Sequence, residues 1–205
     1  MPENIEVSSE QALSYLNIEV PAGVSNRHVH LSLQDFHTLF GEEAELHLLK
    51  SLGQPGEFAC QESLTVIGPR GVIEQVRVIG PIRSATQVEV TMTDAFRLGY
   101  KPPVRDSGNI DKTPGITIAG PKGVVILQEG LILAQRHIHM HTSDAEKLGL
   151  KNYEMLRVHV SSVRGIIFEN VLLRVRDTYA LEFHVDTDEA NACLLRNGDI
   201  VKILR

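Results

Sequence analysis

The segment Arg27-His28-Val29-His30-Leu31-Ser32 returns in the second half of the chain as Arg136-His137-Ile138-His139-Met140-His141. Such self-similarity constrains a fold more than any local propensity, because repeated units bury their faces against one another. Each copy runs into a short helix-like stretch ending near Leu39-Phe40-Gly41 or Leu148-Gly149. A weaker pairing sets Glu89-Val90 before Thr93-Asp94-Ala95 and His184-Val185 before Asp188-Glu189-Ala190. Two related halves packed about a pseudo-twofold axis are expected. Their boundary falls within residues 107–114, a Ser/Gly/Asn/Asp/Pro stretch with the composition of a linker.

Most of the remaining signal is β. Leu64–Ile67 and Gly71–Ile79 flank the turn Gly68-Pro69-Arg70, and Ile116–Ala119 with Val124–Leu127 repeat that design around Gly120-Pro121-Lys122-Gly123. Further strand-like runs cover 87–90, 130–134, 155–160, 165–168, 171–175 and 180–185. Four brief helices are predicted at 32–40, 93–98, 143–148 and 188–195, each opening near a Ser, Thr or Asp that can cap it. Many short strands with few short helices indicate β-barrels or sandwiches. The expected division is an appendage over 1–20, a first half over 21–107, a linker over 108–114 and a second half over 115–205, with strand exchange between the halves allowed. Within the appendage, Ser8 and Gln11 have capping-box spacing, and Ala12, Leu13 and Leu16 could form one short apolar stripe.

Composition narrows the function. A net charge of −6 without a run of Lys or Arg argues against nucleic acid or an acidic membrane as partner. The two cysteines, Cys60 and Cys193, form no CxxC pair and no disulfide framework. No stretch has membrane-spanning length and no secretory signal is evident, so a cytoplasmic protein is expected.

Residues i and i+2 of a strand share a face, so His28 with His30, and His137 with His139, can each present two imidazoles to one point. Neutral imidazole is a favoured ligand of zinc. A single pair reads more plainly as two hydrogen-bonded histidines, whereas its repetition in a shared frame points to metal. Catalytic zinc has three protein ligands and an open position. The weaker repeat supplies third ligands, Glu89 and His184, without indicating which pair Glu89 joins. His37, His47, His141 and His159 lack an equally strong partner and read as surface or structural. Arg27, Arg83, Arg105 and Arg136 cluster near the motifs; for Arg27 and Arg136 an ion pair is as good a reading as a ligand contact. Arg83 follows Gly80-Pro81, where a turn can deliver its guanidinium to the metals, and arginine suits phosphate.

These residues, together with 23–32, 54–59, 76–81, 93–96, 104–108, 136–140 and 184–191, resemble the PduL-type phosphate acyltransferases, the phosphate propanoyltransferases, from Val20 onward. The resemblance implies a mainly β fold of two related β-barrel domains with short capping α-helices and a dinuclear zinc site between them. It implies Glu89, His137 and His139 on one Zn2+, and His28, His30 and His184 on the other. It implies phosphate on Arg83, and coenzyme A on Ser25, Lys50, Arg77, Ile79, Phe96 and Asn191, Phe96 stacking on the adenine across a dimer interface. The partners implied are acyl-CoA, CoA and inorganic phosphate, in a homodimer or higher homo-oligomer. Relatives that enter bacterial microcompartments carry an amphipathic N-terminal extension; the thin stripe here favours a free cytoplasmic role over encapsulation.

The implied reaction converts a short-chain acyl-CoA, propanoyl or acetyl, and phosphate to acyl phosphate and CoA by direct attack. Neither cysteine lies in a nucleophile–base frame and no GxSxG elbow is present. The alternatives are a dinuclear zinc hydrolase of a thioester or ester, and a non-catalytic module that uses zinc to hold its halves together.

Overall fold

In each Arg-His-x-His segment the residue between the histidines is apolar. Alternation sends Val29 and Ile138 into hydrophobic cores, both at 0% exposure, and turns the flanking imidazoles to the other face. Burying such a side chain stabilises the fold by roughly 1.5–3 kcal/mol, which pins the register that aims the histidines.

The computed structural model describes residues 15–204. Its first half contains β1 (Tyr15–Ser25), β2 (His28–His30), α1 (Leu33–Phe40), β3 (Leu48–Ser51), β4 (Phe58–Ile67), β5 (Val72–Gly80), β6 (Gln87–Glu89), α2 (Met92–Leu98) and β7 (Val104–Arg105). Next come β8 (Thr117–Ala119), β9 (Val124–Ile126), β10 (Leu131–Ala134), β11 (His137–Met140) and α3 (Thr142–Leu148). The chain closes with β12 (Met155–Val160), β13 (Ile166–Val175), β14 (Glu182–Asp186), α4 (Thr187–Cys193) and β15 (Ile200–Leu204).

The fold is mainly β with four short helices, as expected. One of the two expected barrels closes fully, as six strands in the order β1-β14-β11-β13-β12-β15. The other is a curled nine-stranded sheet, β7-β10-β6-β2-β5-β4-β8-β9 with β3 beside β4. Each encloses its own core: Ile138, Met140, Phe168, Leu173, Phe183 and Val185 in the barrel, and Val29, Phe36, Leu39, Val66, Val78 and Leu131 in the curled sheet.

The repeat persists in strand register. β2 runs parallel to β5 and antiparallel to β6, and β11 runs parallel to β13 and antiparallel to β14. The strand leading into each histidine pair crosses over: β1 precedes β2 but lies in the barrel beside β14, while β10 precedes β11 but lies in the curled sheet beside β6. Strands β8–β10, which follow the 108–114 linker, complete the first sheet. Tyr15–Val20, expected in the appendage, are strand, and Leu16 is therefore not part of a helical stripe. The stripe residues Ala12 and Leu13, with Ser8 and Gln11, lie outside the described residues.

All four predicted helices form. Ser32 caps α1, Thr91 caps α2, and Asp186 caps α4 in a reciprocal capping box with Glu189. The cap of α3 is His141, whose ring nitrogen accepts the Ser143 amide proton at 3.1 Å. The expected runs 165–168 and 171–175 merge into β13.

Because the lead-in strands cross, the two sheets should unfold together. Phe183→Ala, at a fully buried barrel position, is expected to cost about 3–5 kcal/mol in one cooperative urea transition. Two separated transitions, one unaffected by the substitution, would contradict this coupling.

Candidate functional site

Antiparallel pairing sets His28 opposite Glu89 and His137 opposite His184. The six residues form two triads, His28/His30/Glu89 and His137/His139/His184, in each of which the ligand-type atoms lie within 4.8 Å of one another. This grouping differs from the division implied by resemblance, in which Glu89 joined His137 and His139 while His184 joined His28 and His30. Each third ligand comes from the strand hydrogen-bonded to its own histidine pair, so each triad is completed within one sheet. The two halves come together in the lining of the site: one narrow pocket is bounded by 25–28 and 89–91 from one half, and by the matching 134–137 and 184–186 from the other.

The ring tautomers are fixed by chemistry. His28 Nδ1 lies 2.8 Å from the Asn26 carbonyl and His137 Nδ1 lies 2.8 Å from the Gln135 carbonyl, the same contact in both copies. A carbonyl oxygen only accepts, so Nδ1 carries the proton and Nε2 presents a lone pair. His30 Nδ1 faces the Ile79 carbonyl at 3.2 Å with the same result. Glu89 Oε1 accepts from Gln87 Nε2 at 2.6 Å and from the Ser107 hydroxyl at 2.8 Å. Its Oε2 lies 3.5 Å from His28 Nε2. Two lone pairs at that separation need a cation or a proton between them. In the second triad both nitrogens of His139, and Nε2 of His184, are buried without a hydrogen-bond partner. A buried polar atom left unpaired costs about 1–3 kcal/mol, and a metal ion held by the triad would satisfy one of the two His139 nitrogens. The donor set of imidazoles and one carboxylate suits zinc.

Burial holds His30, His137 and His139 well below the ordinary histidine pKa, aided by the neighbouring imidazoles and by Arg83 or Arg174. They therefore stay neutral and metal-competent. Tyr179 stacks on His139 with 4.1 Å between centroids, and Arg174 and Arg176 lie over the tyrosine ring.

Arg83 is fixed by its amide, which donates to the Leu31 carbonyl at 2.9 Å. Its guanidinium donates to Ser107 at 3.1 Å, one residue removed from Glu89, and sits 3.4 Å from Glu57. Arg27 pairs with Asp94 on α2 and Arg136 with Glu189 on α4, equivalent ion pairs that tie each motif to a helix start. The two helices meet where Asp188 accepts the Thr93 amide proton at 2.8 Å.

A larger cleft of about 420 Å³ reaches His28, His30 and His184 and is lined by Ser25, Lys50, Arg77 and Ile79. Arg77 also donates to the backbone carbonyls of Cys60 and Gln61. Phe96, 76% exposed on α2, and Asn191, exposed on α4, stand outside that lining. Arg105 donates to the neighbouring Val104 carbonyl. His47 pairs with Glu62. Sequence reasoning missed Gln87, Ser107, Gln54 and Glu182. The first and last sit two residues before the third ligands, on the same strand face, which is the signal that could have found them.

This geometry defines a β-barrel protein with two triads able to hold metal ions, one of two histidines and a glutamate, the other of three histidines. Residues 21–196 match the family model described as phosphate propanoyltransferase. The chain is 58% identical to a phosphate propanoyltransferase of Thermotoga maritima over 89% of its length and 87% of the relative's. It is 51% identical to one of Rhodopseudomonas palustris over 91% and 83%, and 47% identical to one of Rhodobacter capsulatus over 90% and 86%. The chain belongs to the phosphate propanoyltransferase family, and it is an acyltransferase.

Double substitutions separate the two ligand divisions. His28→Ala with Glu89→Ala should leave one metal equivalent by elemental analysis, and His28→Ala with His184→Ala should leave none; the reverse would restore the other division. The metal-free protein should also lose stability in acid. Below about pH 6.5 the unfolded histidines take up protons that the folded ones refuse. The urea midpoint is therefore expected to fall between pH 7 and 5, and a flat profile would show that these imidazoles titrate freely.

Proposed function

We propose that the protein transfers the acyl group of a short-chain acyl-CoA, propanoyl or acetyl, to inorganic phosphate, giving acyl phosphate and CoA reversibly at a dinuclear zinc site. The observation that carries this reading is that both triads reach one pocket, through His28 and Glu89 from the first and His137 and His184 from the second, with Arg83 held against the first triad through Ser107. Family membership supports the substrates: acyl-CoA, CoA and phosphate.

Arg83 supplies a planar, permanently charged fork for phosphate, and its bond to Ser107 limits the orientations it samples. Lys50 and Arg77 give the adjoining cleft a cationic lining for the phosphates of CoA, and Ser25 and Ile79 line the same cleft. Zinc held by the triads would supply Lewis acidity toward the thioester carbonyl and the charge that develops on it. A phosphate oxygen bonds to the acyl carbon, the carbon–sulfur bond breaks, and CoA departs as the thiolate. Holding both substrates in one cleft removes much of the entropic barrier. No covalent acyl-enzyme is required. Cys60 and Cys193 are buried, and burial, reinforced for Cys60 by Glu62, raises both thiols, that of Cys60 to about 11.

Phe96 and Met92, exposed together on α2, support a homodimer in which a second copy brings Phe96 to the adenine of CoA; light scattering tests it. Among the described residues no helix is long and apolar enough to cross a membrane, in keeping with the cytoplasmic role we propose.

A thiol-release assay with propanoyl-CoA and acetyl-CoA should show strict dependence on phosphate and loss of activity with chelator. Turnover without phosphate would favour a thioester hydrolase, and retained zinc without turnover would favour a binding module. Arg83→Ala should raise the KM for phosphate by about tenfold or more while keeping both metals, in line with losing a charge-assisted bond of about 1.5–3 kcal/mol. Cys60→Ser and Cys193→Ser should remain active, and a folded but dead variant would reopen the covalent route.

A further inference from the structure

The internal repeat places Gln87 and Glu182 at equivalent positions: Gln87 faces His30 across β2 and β6, and Glu182 faces His139 across β11 and β14. Each lies two residues before its triad's third member, on the same strand face. In the first triad the third member is the carboxylate of Glu89, and the amide of Gln87 holds it at 2.6 Å. In the second triad the chemistry is exchanged. The third member is the imidazole of His184, and the carboxylate of Glu182 stands beside it, with Oε2 3.0 Å from Nε2. The contact lies off the hydrogen-bonding line, which is why Nε2 counts among the buried unpaired atoms.

The carboxylate is held where it is. Gln54, 3% exposed, donates to Glu182 Oε2 at 2.9 Å and is itself locked to the backbone of Ala180, donating to its carbonyl at 3.1 Å and accepting its amide proton at 3.3 Å. Gln54 belongs to the β3–β4 connection of the curled sheet, so this clamp spans the two halves. The space is left by two glycines. A Cβ on Gly53 would overlap both Glu182 oxygens, and a Cβ on Gly23 would stand 2.8 Å from Oε1. Among the described residues, His184 is the titratable partner at ion-pair distance from Glu182.

We infer that Glu182, clamped by Gln54, is the positioning residue of the second triad: it orients the His184 ring and gives that triad the negative charge that Glu89 gives the first. This rests on the reading of the triads as metal centres. A carboxylate behind a ligating imidazole fixes the ring and raises its basicity. With Nε2 turned to Glu182, Nδ1 is the nitrogen left for the metal. The two centres are then alike in charge, although one has a carboxylate ligand and the other does not. The clamp also ties the second centre to the loop that borders the substrate cleft, since Ser51, Gly53 and Gln54 line that cleft beside Lys50.

The test is metal release from the zinc-loaded full-length protein to a metallochromic chelator, with visible spectra of the cobalt-substituted form. Wild type should release two equivalents. In Glu182→Gln one equivalent should leave about 10–100-fold faster while the other keeps its wild-type rate, and the cobalt spectrum of the fast equivalent alone should shift. Glu182→Asp should recover part of the loss. Gln54→Ala should change the same equivalent in the same direction, and it carries the test should Glu182→Gln fail to fold. Two equivalents leaving at wild-type rates from both variants, with unchanged cobalt spectra, would overturn the role of Glu182 and leave the metal centres standing. A wild-type protein that binds no metal would instead overturn the underlying reading, and this inference with it.

Discussion

Everything at the site depends on one backbone constraint, the antiparallel pairing that sets His28 opposite Glu89 and His137 opposite His184. Side chains of directly opposed residues lie close enough to share a ligand, so each pairing converts a two-histidine motif into a triad. The pairing is secured from behind by Val29 and Ile138, which are fully buried. A slip of one residue would send the histidines into the hydrophobic cores and the valine and isoleucine into the pocket. The ligand geometry and the packing of the two cores are therefore one register, enforced by apolar burial.

The crossing of the lead-in strands has a second effect. β1 enters the barrel and β10 enters the curled sheet, each beside the strand that bears the other half's third ligand. Neither half can be removed without taking an edge from its partner's triad strand. Each triad is completed within a sheet, while the pocket that the triads share is walled by both halves. The ion pairs Arg27–Asp94 and Arg136–Glu189 repeat this economy, one per half, and anchor the motif arginines to helix starts. This leaves Arg83 as the cation fastened to the first triad, through Ser107.

Much of this was legible in the sequence. The doubled Arg-His-x-His frame located the four histidines, and the weaker repeat located Glu89 and His184, because a two-residue alternation and a capped helix start leave marks on neighbouring residues. The four helices were readable for the same local reason. The grouping of ligands was not, since it depends on which strands pair, and that pairing is set by long-range packing. The start of β1 was concealed because Tyr15–Val20 precede Pro21 and the strand's partners, β14 and β15, lie at the far end of the chain. Gln54 and Ser107 were hidden more deeply. They sit in connections whose composition indicates only a turn, and their partners, Glu182 and Glu89, come from distant strands.

The central claim is that two metal ions sit in separate triads, one per sheet, on either side of a common pocket. A zinc-edge anomalous difference map from crystals of the metal-loaded protein addresses it most directly. The account predicts two peaks, one enclosed by His28, His30 and Glu89, the other by His137, His139 and His184. A single peak, or a peak bonded at once to Glu89 and the His137/His139 pair, would contradict it.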